Sequence, residues 1–183
     1  MDSLRLYDID YKALADGVHE FEFTADDTLF SSIENSLIPG GELRVALKAT
    51  KSMQMLKLHF DIDGTLRLTC DVCLDDFDYK VEALEGDIVM KFGDHYEELT
   101  DELVVIDEQS AESINVAQWI YEIVASSLPI RIEHPLDEEG DRTCNPEMLE
   151  QLARYTTQDK NDDSETEVDP RWEKLKGLID KEQ

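Results

Sequence analysis

Period-two alternation of apolar and polar side chains runs through the first half of the chain. Gly17 to Thr24 sets Val18, Phe21 and Phe23 among Glu20 and Glu22 and predicts a strand. Leu43, Val45, Leu47 and Ala49 alternate with Arg44, Ala46 and Lys48. Leu56, Leu58, Phe60 and Ile62 alternate with Lys57, His59 and Asp61. Asp63-Gly64 is a hairpin-turn signal, after which Leu66, Leu68 and Cys70 alternate with Arg67 and Thr69. Successive strand side chains face opposite ways, so one face of these strands is apolar. Phe77, Tyr79 and Val81 begin a further strand, Ile88 to Phe92 another, and the apolar run Leu103 to Ile106 a last one.

Helical spacing interrupts this pattern in a few places. Asp27 can cap a short helix that carries Leu29, Phe30, Ile33 and Leu37 on one face, with Pro39-Gly40-Gly41 ending it. Asn115 opens an amphipathic helix with Val116, Ile120, Ile123, Val124 and Leu128 on one side and Trp119 beside them. Gln118 stands at capping-box distance and Pro129 closes the helix. Pro146 to Tyr155 is a weaker helical stretch. The expected architecture is α+β: an antiparallel β-sheet or small open barrel covered by one main amphipathic helix. Residues 1–155 then form a single domain. Residues 156–169 are almost wholly polar and read as a solvated acidic linker. Residues 170–183 form a short amphipathic helix: Asp169 precedes Pro170 at the first helical position, and Trp172, Leu175 and Ile179 share a face. That segment reads as a partner-docking motif on a flexible leash; the alternative is that Trp172 folds back onto its own domain.

Charge changes the picture. The 183 residues carry 44 acidic and 17 basic side chains, a net charge of -27. Such a balance argues against a generic nucleic-acid coat and against adsorption to anionic membranes. The excess is uneven. Between residues 39 and 67, Arg44, Lys48, Lys51, Lys57 and Arg67 outnumber Glu42, Asp61 and Asp63, and the last fourteen residues are also slightly basic. Arg44, Lys48, Lys57 and Arg67, with His59, share the polar face of the predicted sheet and are candidate RNA contacts. Single-strand readout normally adds stacking aromatics, and that face offers none. The N-terminal residues lack the basic and apolar regions of a signal peptide, and no apolar run reaches membrane-spanning length. With three cysteines, an odd count, the expected location is the reducing cytoplasm.

Cys70-Asp71-Val72-Cys73 is the sharpest local motif. Two thiolates at this spacing can hold one metal, and a structural zinc site needs four ligands. His134 and Cys144 complete a possible Cys3His set, although their spacing is not that of a standard ribbon. The alternative is that Cys70 continues the buried face of its strand while Cys73 sits in a turn. Asp71, Asp75, Asp76 and Asp78 surround the pair. Nearby negative charge is expected to raise a thiol's pKa, which ranks metal binding above redox chemistry. The other histidines, His19, His59 and His95, are scattered. Phosphate-loop, dinucleotide and nucleophile-elbow motifs are missing, so no catalytic residue and no small-molecule substrate are expected.

Three separated pieces resemble the YceD-like family, the bacterial large ribosomal RNA subunit accumulation proteins. Leu68-Thr-Cys70-Asp-Val-Cys73-Leu74-Asp-Asp-Phe77 is similar to the family's cysteine-pair and leucine turn. Ile114-Asn115 through Glu122 to Leu128-Pro129, followed by His134 and Cys144, is similar to its helix and downstream segment. Asp169-Pro170-Arg171-Trp172 with Leu175 and Leu178 is similar to its terminal motif. The chain departs from many relatives in carrying Asp71 and Val72 between the cysteines, where a basic residue is common. The resemblance implies a non-catalytic factor in ribosome biogenesis that supports large-subunit rRNA accumulation. At -27 such a factor should meet the large-subunit precursor through basic ribosomal proteins more readily than through bare RNA. The alternative is a zinc-stabilised RNA-binding module.

Overall fold

The apolar positions of the period-two stretches point inward: Leu43, Val45, Leu47, Ala49, Leu56, Leu58, Phe60, Ile62, Leu66 and Leu68 are all buried. The structure is a computed structural model that describes residues 3–53, 55–92, 103–106 and 113–155. A 3₁₀ turn (Ser3–Tyr7) leads into β1 (Asp8–Ile9). There follow β2 (Gly17–Ala25), α1 (Asp27–Ser32), β3 (Gly40–Lys51), β4 (Met55–Thr69), β5 (Asp76–Phe92) and β6 (Leu103–Ile106). Then come β7 (Ile114–Asn115), α2 (Ala117–Ser127) and α3 (Pro146–Tyr155). The sheet is open, in the order β2-β3-β4-β5-β6. Its first four strands are antiparallel, and β6 pairs parallel to β5. The α+β expectation therefore holds, with an open, mainly antiparallel sheet.

The long strands depart from the expected punctuation. Asp63-Gly64 makes no hairpin, because β4 runs unbroken through it. Gly64 (φ +144°) lies opposite Leu43 of β3, and a Cβ there would stand 2.3 Å from the Glu42 carbonyl oxygen. The glycine serves a close backbone crossing, not a turn. Its partner strand makes the matching adjustment. The two strands expected over Phe77–Val81 and Ile88–Phe92 are one strand, β5, whose register with β4 shifts between Ile62 and Gly64. Ala83 in that irregularity takes φ 49°. A bulge of this kind adds twist and bends the sheet around its core.

Two helices close the apolar face. Leu29 and Phe30 of α1 are fully buried. Asp26, not Asp27, caps α1 by accepting from the Thr28 amide. Asp27 instead accepts from the Gly41 amide at 2.8 Å and pairs with Arg67. Helix α1 ends at Ser32. Leu37 is off its apolar face and exposed, and Gly40-Gly41 already belong to β3. Helix α2 buries Ala117, Ile120, Tyr121 and Val124. It meets β5 at Gly86, where a Cβ would lie 2.6 Å from Ile123. The capping box does not form: Asn115 Oδ1 accepts from the Ala117 amide, while Gln118 bonds Glu122. Asn115 is also a strand residue, pairing with Asp8 so that β1 and β7 tie the N-terminal segment beneath α2. Tyr7 seals this corner by donating to the Thr24 carbonyl at 2.7 Å. Burial and the nearby Asp26 charge push its pKa up to about 12.

The chain divides into two units, Met1–Leu149 and Glu150–Gln183. Of the second, Glu150–Tyr155 is described, where Arg154 pairs with Glu150 one turn earlier. The expected linker 156–169 and docking segment 170–183, with Trp172, Leu175 and Ile179, lie outside the described residues. Among the described residues no helix is long and apolar enough to cross a membrane.

Candidate metal centre

The inward row of β4 continues past its last residue to Cys70, which is fully buried. A tight turn follows. The Leu74 amide donates to the Cys70 carbonyl, and the Cys70 amide to the Asp75 carbonyl, both at 2.9 Å. This turn bends Cys73 back beside Cys70, and the Val72 amide points at the Cys70 sulfur from 3.4 Å.

The remaining candidates come from the segment after α2. Asp71 clamps that segment from both sides: its amide donates to the Ile132 carbonyl, and its carboxylate accepts from the Ile132 amide, each at 2.7 Å. The chain then folds into a small hairpin, with Leu136 bridged to Arg142 and Thr143 donating to the Pro135 carbonyl at 2.6 Å. Its turn is held by Asp137, which accepts from the Glu139 and Asp141 amides, and by Gly140 at φ 88°. The ten-residue interval between His134 and Cys144 is thus the span of a hairpin that returns Cys144 beside His134. Asn145 fixes its exit, donating to Asp75 and accepting from the Glu147 amide at the start of α3.

Cys70, Cys73, His134 and Cys144 converge, with their ligand atoms all within 4.8 Å of one another. Cys70 Sγ lies 3.8 Å from Cys144 Sγ, and Cys73 Sγ lies 3.5 Å from His134 Nδ1. A tetrahedral zinc with ordinary bond lengths has S···S edges of about 3.8 Å and S···N edges of about 3.5 Å. The donor set therefore fits zinc in kind and number, and these two separations match its edges. Val72, Phe77, Met148 and Leu149 pack around the sulfurs, and the Phe77 ring lies 4.6 Å from the His134 ring. Cys70 continues the buried face of its strand, as the alternative reading expected, and also stands in the cluster.

The expectation that the surrounding acids raise the thiol pKa is corrected at Cys70. Burial does push that thiol up. The amides of Cys73 and Val72, with donors from His134, outweigh it and lower the pKa. Three of the nearby carboxylates are turned to other partners: Asp71 to Ile132, Asp75 to Asn145 and Asp76 to Thr69. Cys144 is shifted up, by burial first and then by the neighbouring Cys70 and Cys73 sulfurs. A thiolate favoured by amide donors yet hidden from reagents is suited to metal ligation. Asp71 and Asn145, which assemble the cluster, were not singled out as positioning residues from the sequence. Asn145-Pro146 was the available signal, since Asn before a helix-starting Pro marks an N-cap.

The candidate RNA contacts do share the outward face of the sheet, where Arg44, Lys48, Lys57 and Arg67 are exposed. Carboxylates interleave with them. Arg44 pairs with Glu22 and Arg67 with Asp27, each at 3.1 Å. Lys48 stands in register with Glu20 and His59, and Lys57 with Thr50 and Val89. His59 bonds Asp87 at 2.8 Å and lies 3.6 Å from Asp61. The Asp87 hydrogen bond, against the opposing effect of desolvation, raises its pKa.

A family model described as Large ribosomal RNA subunit accumulation protein YceD matches residues 58–179. Comparison with curated proteins and with solved structures returned no match.

Proposed function

The chain belongs to the YceD family of large ribosomal RNA subunit accumulation proteins, and from this membership we propose that it is a non-catalytic cytoplasmic factor supporting accumulation of large-subunit rRNA. The carrying observation is the match over residues 58–179, a stretch that contains Cys70, Cys73, His134 and Cys144 together. In this reading these four residues hold zinc. A zinc with four protein ligands has no open position, so its contribution is structural. It staples the end of β4 to the hairpin after α2. Metal analysis of the protein, purified without a histidine tag or chelator, should give about one zinc per chain. A metal-free preparation with the same fold contradicts the assignment.

The direct partner in this reading is a basic ribosomal protein of the large-subunit precursor. A net charge of -27 attracts such proteins and repels phosphate. The interleaved acids on the sheet support this choice over RNA, since a phosphate reaching Arg44 or Arg67 competes with Glu22 or Asp27. Gradient sedimentation of cell extracts tests the reading. The chain should travel with large-subunit precursor particles and leave them as salt is raised. A chain that stays at the top of the gradient at low salt contradicts it.

A further inference from the structure

The turn between the paired cysteines and β5, whose backbone brings Cys73 beside Cys70, carries a large apolar side chain that packs in neither the cysteine cluster nor the core. Leu74 adopts φ 62°, the left-handed region that disfavours a branched side chain and suits glycine. Leu74 is nevertheless 68% exposed. Strain combined with exposure of a large apolar group is the reverse of what folding alone selects. Two further exposed apolar residues, Ile130 and Leu136, lie on the segment that Asp71 clamps against this turn.

The rim is acidic. Asp71, Asp75 and Asp76 on the turn side and Asp137, Glu138 and Glu139 on the hairpin side are all exposed. The two cations of that segment, Arg131 and Arg142, both pair with Glu133. Such a rim repels nucleic acid and anionic lipid. It also disfavours self-association through this face, which would bring two acidic rims together.

We propose that Leu74 anchors a docking surface, flanked by Ile130 and Leu136, for a Lys/Arg-rich protein segment that presents an apolar pocket or side chain to it. The inference rests on the reading of this chain as a binder of basic ribosomal proteins and locates that binding on the metal-stapled turn. Apolar contact at the centre with opposite charge at the edge is the usual anatomy of an energetic hot spot.

The test uses the full-length, metal-loaded chain. A photoreactive benzoyl-phenylalanine is placed at position 74 in cells and, as a control, at position 50 on the outward sheet face. The expected result is a crosslink from position 74, absent from position 50, to a Lys/Arg-rich segment of a large-subunit protein. Affinity of that purified protein is then compared for the parent chain and Leu74→Gly. The glycine variant should keep its zinc and its melting temperature, because glycine suits the backbone there, and lose affinity by about tenfold or more. Crosslinks to RNA or to a second copy of the chain overturn the proposal. So does an unchanged affinity of Leu74→Gly, or no crosslink while the parent chain still travels with precursor particles. Failure of the parent chain to travel with those particles overturns the functional reading itself.

Discussion

At Cys70 two opposing effects meet: burial disfavours the thiolate, and convergent amides favour it. The amides prevail and lower the thiol's pKa, which suits the proposed role as a metal ligand. Cys70→Ser should therefore abolish stoichiometric zinc, and losing the staple should lower stability by about 3 kcal/mol or more. Metal analysis and denaturant titration of the same samples check both. A variant that retains full zinc shows that the remaining ligands suffice and removes Cys70 from the site. His59 offers a separate check on the sheet surface. Its pKa is raised above 6.5 by Asp87 first, with help from Asp61 and Glu85. A raised folded-state value means that the pairing stabilises the protein fully below pH 6.5 and fades as pH rises through the folded-state pKa. NMR titration should show the His59 pKa falling in Asp87→Asn.

The strands show how much of the fold could be read from the chain. Alternation in β3 and β4 identified the buried side chains because one face meets the core and the other meets water. The same pattern could not show that β4 and β5 are each continuous. Asp63-Gly64 has the composition of a turn, but its role depends on Glu42 and Leu43 of a neighbouring strand. A short-range signal cannot report a contact so distant along the chain. Gly64→Ala should destabilise the protein by about 2–4 kcal/mol, since positive φ and a backbone clash act together. Urea denaturation measures this, and a change within about 0.5 kcal/mol contradicts the close-crossing account. The clustered Cys70, Cys73, His134 and Cys144 were legible as residue types, and their assembly was not. The hairpin between His134 and Cys144 depends on the Asp137 turn and on the Asp71 clamp to Ile132, which are tertiary or loop details without a periodic signature. The β1–β7 pairing escaped for the same reason, being two residues long on each side.

At the scale of the molecule, the family match and the charge point the same way. The acidic excess suits recognition of basic proteins, and the few bases of the outward sheet face sit among carboxylates. Trp172, Leu175 and Ile179 fall within the matched stretch, and we propose that they make a second contact with the partner. A tethered second contact strengthens binding through effective concentration, so deletion of residues 156–183 should weaken co-sedimentation with precursor particles without changing zinc content. Unchanged co-sedimentation removes the tail from the binding scheme. The central claim, that this chain sustains large-subunit rRNA, is tested most directly by the ratio of large- to small-subunit rRNA in cells from which the chain has been removed. The account predicts that the ratio falls and that the parent chain restores it; a ratio unchanged by removal contradicts it.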